Sequence, residues 1–234
     1  MDLPASASDR PGTRTNWLLA VGLVALSLIP LTAGGLRIVQ LAGGPAVLPP
    51  DDRWTVSPFP VVVHIVSAAV FALAGAFQFV PSLRAKHPAW HRRVGRVVAL
   101  AGLVVAVSAL WLTLFYEPQA GTGDLLYLFR LVAGSAMVAC IVLGVSAVRQ
   151  HRIVDHRAWM IRAYAIGLAA GTQVFTEGIT EGAVGPGTLS GDLAKGSAWI
   201  INLVIAEWFI RRGRRPRRSR SCHATPTPAA GAFS

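Results

Sequence analysis

Cysteine and charge are scarce in this 234-residue sequence. Its two cysteines, Cys140 and Cys222, fall in mid-membrane and in a basic tail once the apolar runs are placed, so they cannot meet. That excludes a disulfide framework, a thiolate-bound iron-sulfur cluster and covalent haem attachment through CxxCH. No Walker loop, nucleophile elbow or HExxH occurs, which argues against a nucleotide-driven pump or a soluble-type hydrolase, and no catalytic motif is present. Gly185-Pro186-Gly187 precedes no suitable helix and reads as a turn. Charged residues make up 14 %, against roughly a quarter in a soluble domain. A soluble globule with so little charge could not cover its surface.

What is abundant is apolar sequence, 53 % of the chain, with a mean hydropathy of +0.51. A hydrocarbon core of ~30 Å needs about 20 apolar residues of helix. Five such runs are clear: Trp17 to Ala33, Pro60 to Val80, Val94 to Tyr116, Leu125 to Val148, and Met160 to about Thr180. A sixth, Ser197 to Ile210, is short and contains Asn202 and Glu207. The expected fold is all-α, a polytopic membrane bundle of six helices with a central four-helix unit.

The placement of charge supports the sixth span. There are 22 Lys and Arg against 11 Asp and Glu, and short loops rich in Lys and Arg stay cytoplasmic. Arg84, Lys86, Arg92 and Arg93 lie between spans two and three, and Arg149, Arg152 and Arg157 between spans four and five. The opposite connections hold Glu117, Asp124 and Asp192 with one cation, Lys195. The tail RRGRRPRRSR carries seven arginines from Arg211 to Arg220 and would sit outside without a sixth helix. Both termini are therefore expected in the cytoplasm, with the spans in an inner (cytoplasmic) membrane. The first run is too long for a signal peptide and reads as an uncleaved anchor, with Pro30 interrupting it late.

The expected domains are a disordered N-terminus over 1–15, a six-helix unit over 16–210 with its core at 60–183, and a basic, disordered tail over 211–234. Within the longest outside segment, Gly34 to Phe59, LRIVQLA suits a short surface helix. The tail is expected to hold anionic lipid. It lacks the aromatic or base-reading residues of a nucleic-acid site. Lipid is the expected partner, and the chain admits a homo- or hetero-oligomer.

Ionisable groups inside spans are costly and are functional candidates. His64, Arg130 and Glu177 fall at similar depth in the outer half of the bundle, and Gln173, Glu177 and Glu181 share a helix face. An Arg130 to Glu177 contact would lower the insertion cost of both, with His64 beside them as proton carrier or ligand donor. At the other end, AKHPAWHRRVGR and RQHRIVDHRAWMIRAY each place a His-Arg pair at the start of a helix, His91-Arg92 and His156-Arg157, 65 positions apart. This reads as an internal duplication of a two-helix unit with a two-fold arrangement. Arg92, Arg96, Arg157 and Arg162 at those helix starts suit an anion or lipid phosphate. His87 and His91 are four apart and His151 and His156 five apart, and zinc there would lack cysteines. GxxxG spacing at Gly167 to Gly171 and Gly178 to Gly182 predicts close helix contacts.

These strings carry a resemblance. His64, then GAFQFVPSLR, HPAWHRRVGR and DHRAWMIRAYA, resembles a family of predicted bacterial multi-pass membrane proteins classed as a domain of unknown function, over about half the chain. The resemblance implies no activity. It marks Gln78, His91, Arg92, Gly95, Arg96, His156, Arg157, Trp159, Met160, Arg162 and Tyr164 as motif positions. A looser similarity is to cytochrome b561 and ferric reductase-like proteins, which implies one inner haem b on His91 and His156. The outer pair fails, since His64 meets Arg130 rather than histidine. No cofactor is established by the residues. Three functions follow: binding of a small molecule, lipid or proton at the polar set, for transport or sensing; a single-haem or quinone-linked oxidoreductase; and a structural subunit of a membrane complex.

Overall fold

The computed structural model describes the backbone of residues 11–54 and 57–214 and the side chains of 17–54 and 57–213. Expectations for residues 1–10, for Cys222 and for the tail beyond Arg214 lie outside these. Among the described residues the chain is all-helical: α1 (Pro11–Leu41), α2 (Phe59–Gln78), the short α3 (Pro81–Lys86), α4 (Pro88–Phe115), α5 (Asp124–Arg149), α6 (Ile153–Gly167), α7 (Ala169–Val184) and α8 (Thr188–Arg214). Proline opens α2, α3 and α4, where a helix needs no N–H and its fixed φ fits. Glycine at positive φ closes the other ends, Gly43 after α1 and Gly185 after α7.

Five helices, α1, α2, α4, α5 and α8, are long and apolar enough to cross a membrane. Their outward faces leave Leu18, Leu100, Val132 and Ile200 at least 60 % exposed, a belt that only lipid covers without cost. One end of the bundle carries the tight α2–α3–α4 and α5–α6 connections, the hairpin end. The other carries the segments 42–58, 116–123 and 185–187, the loop end.

The core is drawn from α2, α4, α5 and α6: Phe71 and Ala76, Val98 to Ala106, Met137 to Ile141, and Ala163 to Ile166. Phe71 sits at its middle, 3 % exposed. A β-carbon on Gly102 would lie 2.5 Å from one edge of its ring, and one on Gly167 2.7 Å from the other. Only glycine lets α4 and α6 approach this ring from both sides. Tyr164 stacks against Phe71 and Phe79 at 5.4 and 5.0 Å between ring centres, and its hydroxyl donates to the Ala72 carbonyl at 2.8 Å.

The offset of 65 read from the histidines recurs in the helix starts. Phe59 and Asp124 open α2 and α5, and Pro88 and Ile153 open α4 and α6. Gly102 and Gly167, the two glycines on Phe71, are also 65 apart. Both units run in the same direction, from loop end to hairpin end and back.

Four sequence expectations are corrected. LRIVQLA is not a separate surface helix: α1 continues through Pro30 to Leu41. Proline removes the bond to the carbonyl four residues back, that of Leu26, and this carbonyl lies against Gly171 of α7, where a side chain would not fit. The fifth run is not one helix but breaks at Leu168, between α6 and α7. The sixth is not short: α8 begins at Thr188 inside the segment read as a loop, its Asp192, Lys195, Asn202 and Glu207 each bonded to a neighbouring helix. The Gly178 to Gly182 spacing makes no close contact among the described residues, with nothing within 4 Å of either position, whereas Gly167 and Gly171 do.

Asn202 explains how the break is tolerated. The end of α6 leaves backbone carbonyls short of helical partners. The Asn202 amide donates to the Ala165 carbonyl at 3.1 Å, and its oxygen accepts from the Thr172 hydroxyl at 2.9 Å. One α8 side chain thus bonds both pieces of the broken helix.

Candidate functional site

At the loop end the bundle opens into a cavity of about 430 Å³, between α2, α4, α5 and the α6–α7 break. His64, Arg130 and Gln173, singled out from separate helices by sequence alone, all line it. Arg53 and Trp54 from the segment between α1 and α2 cover one side, and Tyr127 and Trp199 line it further. That segment is held down by Tyr116, which stacks on Trp54 at 5.4 Å and donates to the Ser57 carbonyl at 2.8 Å.

His64 lies on the second turn of α2. Its Nδ1 is 3.0 Å from Ser108 Oγ on α4, and the Ser108 hydroxyl in turn lies 2.6 Å from the Val104 carbonyl and 3.0 Å from that of Val105. Ser108 has one proton, and a carbonyl can only accept. The hydroxyl therefore donates to the backbone and accepts from Nδ1–H, which leaves Nε2 as the second ring nitrogen.

Arg130 occupies the second turn of α5, and the charged groups that act on it are Arg53, Asp192 and Glu177. Both of these acids are engaged elsewhere. Asp192 is 2 % exposed and accepts from the Gly123 N–H at 3.0 and 3.2 Å and from the Leu126 N–H at 3.1 Å, capping the free N–H groups at the start of α5. Glu177 pairs with Lys195 of α8, and it does not line the cavity. The expected Arg130 to Glu177 contact is thus not the one formed: α7 and α8 are antiparallel neighbours, and Lys195 meets Glu177 at the same depth. Asp51 pairs with Arg53 at 2.6 Å, and the hydrogen bonds from Arg53 hold its carboxyl below the ordinary value of 3.8. Among the described residues Arg130 makes no ion pair. Glu117 and Asp124 also line the cavity, where the 116–123 loop meets α5.

Gln173 donates its Nε2 to the Lys195 carbonyl at 3.4 Å, so its amide oxygen remains as an acceptor. A second, apolar cavity of about 120 Å³ lies between α1, α2 and the α6–α7 break. It shares His64, Ala68, Val105, Gly167 and Ala170 with the first.

At the hairpin end, Arg92, Arg96 and Arg157 are exposed. Arg162 is not free: it pairs with Glu207 of α8 at 2.5 Å and lies over the Trp159 ring at 4.7 Å. His91 and His156 are within electrostatic reach of each other. His156 Nδ1 is 2.8 Å from the Gly144 carbonyl, which orients Nε2 as in a metal-bound histidine. His91 lacks that support, since its Nδ1 is buried with no partner, as are both amide atoms of Gln78. The residues present fit a haem ligand pair on one side only. Among the described residues no three of His, Cys, Asp or Glu cluster as a metal site.

Sequence reading missed Ser108, Asp192, Lys195, Arg53 and Trp199. For α8 a signal existed: Asp192, Lys195, Trp199 and Asn202 recur at three- and four-residue spacing, the mark of one helix face.

An all-α bundle with several lipid-facing spans and a polar cavity between them defines a multi-pass membrane protein. The family model described as predicted membrane protein DUF2306 matches residues 61–210, and the chain belongs to that family. No curated protein and no solved structure matches it.

Proposed function

We propose that this protein spans an inner membrane six times, with α6 and α7 together forming the fifth span, both termini cytoplasmic and the loop end outside. In that orientation its outward cavity binds a small anionic solute, for uptake or sensing. The observation that carries this reading is Arg130, a cation in the cavity wall that makes no ion pair among the described residues, the two carboxylates that act on it, Glu177 and Asp192, having other partners. An anion supplies the missing counter-charge, and Arg is suited to bidentate recognition of carboxylate or phosphate. The volume is that of a small-molecule site, and a broken helix beside a mid-membrane site is the arrangement of many transporters. The exposed Arg92, Arg96 and Arg157, with the tail arginines, supply the charge that retains the hairpin end inside and attracts anionic lipid.

The test is thermal unfolding of the detergent-solubilised protein with acetate, benzoate, phosphate or sulfate. Saturation at a hundredfold over Kd stabilises the folded state by about 2.7 kcal/mol. At least one anion is expected to raise Tm saturably, and Arg130→Gln to abolish the shift. Equal shifts in both proteins, or none with any anion, would overturn the proposal. Flux of the stabilising anion into liposomes then separates transport from sensing.

A further inference from the structure

The hydrogen-bond inventory of the cavity specifies more than an anion. Beside the Arg130 donors, the wall presents two acceptors. The first is His64 Nε2. Ser108 and the Val105 carbonyl are the polar groups that act on this ring, and both are on α4, so the proton is on the α4 side. Among the described residues no carboxylate lies within ion-pair distance of His64. The second acceptor is Gln173 Oε1, fixed by the donation of Nε2 to Lys195. Neither atom is sealed inside the protein without a partner; among the described residues that holds only for Gln78 and His91 at the other end. Both acceptors therefore meet whatever fills the cavity.

We infer that the solute is a hydroxylated carboxylic acid, its carboxylate on Arg130 and its hydroxyl donating to His64 Nε2, with Gln173 Oε1 as a further acceptor in the wall. A simple carboxylate would satisfy Arg130 and leave both acceptors facing a dry ligand, which costs free energy when the acceptors cannot reach water. A site built to accept from a hydroxyl discriminates strongly against the analogue that lacks it. This inference rests on the proposed binding of acids at Arg130.

Matched pairs of probes test it: lactate against propionate, and 4-hydroxybenzoate against benzoate, by titration of the full chain in detergent. At least one hydroxy acid is expected to bind tenfold or more tightly than its partner. His64→Leu should lower that ratio to near one while acid binding at Arg130 persists. Ser108→Ala, at a residue that lines neither cavity, removes one of the two α4 partners of the ring and leaves the Val105 carbonyl; it loosens the hold on the Nδ1 proton and should reduce the ratio with the wall intact. Should His64→Leu fail to fold, the ratios in the unmodified protein and in Ser108→Ala decide. Equal affinity within both pairs would overturn the inference and leave the anion site standing, whereas no binding by any acid would remove the anion site itself. A preference unchanged in both His64→Leu and Ser108→Ala would show that His64 does not read the hydroxyl.

Discussion

Removing the Asn202 side chain should loosen the α6–α7 break more than it harms any single helix. Asn202 is 8 % exposed and makes two interhelical hydrogen bonds, to Ala165 and from Thr172. Such bonds within membranes average about 0.6 kcal/mol, with a maximum near 1.7, so the pair contributes roughly 1–2 kcal/mol. Asn202→Ala also strands the Ala165 carbonyl at a helix end, where a buried unsatisfied group costs about 1–3 kcal/mol. The expected total is about 2–4 kcal/mol. Thr172→Val removes one bond and should cost less, and the double-mutant coupling should fall near 0.6 kcal/mol. Equilibrium unfolding in mixed SDS and mild-detergent micelles measures these differences, and amide exchange localises them. Faster exchange is expected over residues 165–172, with the α2–α4 pair unaffected. An Asn202→Ala protein as stable as the original, with unchanged exchange there, would refute the reasoning that Asn202 bonds the break together.

Other changes have definite signs. Phe71→Ala should cost about 3–5 kcal/mol in the same unfolding assay, and Gly167→Ala about 1–3 kcal/mol by overpacking the ring, whereas Gly178→Ala, with open space around it, should stay within about 0.5 kcal/mol. Asp192→Ala removes the cap of α5 and should cost about 2 kcal/mol, with faster exchange at Gly123 and Leu126. Asp51 has its carboxyl value lowered by Arg53, so the pair stabilises the segment over the cavity above the ordinary value of 3.8 and is lost as pH falls through the lower folded value. Amide exchange at residues 51–54 should accelerate only below that pH, and Asp51→Asn should abolish the transition.

Much of the site was legible because His64, Arg130 and Gln173 are polar side chains in apolar runs, and their depth can be counted from the span ends. Their partners were not. Serine satisfies itself on its own helix backbone, so Ser108 carries no burial cost that hydropathy registers. The break at Leu168 has no proline to announce it, and its support comes from Asn202, far along the chain. The polar face of α8 concealed a span because hydropathy treats Asp192, Lys195, Asn202 and Glu207 as exposed to lipid, whereas each is bonded to a neighbouring helix. Charge in the loops indicated that helix when its own composition did not. Glu177 pairs with Lys195 rather than Arg130, since a residue's place along its helix does not say which neighbour stands beside it.

Phe71 bears on how such a chain can be assembled. Its position 65 residues on is Ala136, not a second phenylalanine, and the one ring fills the space beside both Gly102 and Gly167. Two identical half-chains would bring either two rings to a space that holds one, or two alanines and a void. The two-helix units are therefore complementary rather than identical at this point, one supplying the plug and both supplying the socket. A core of this kind closes only when each half is present once.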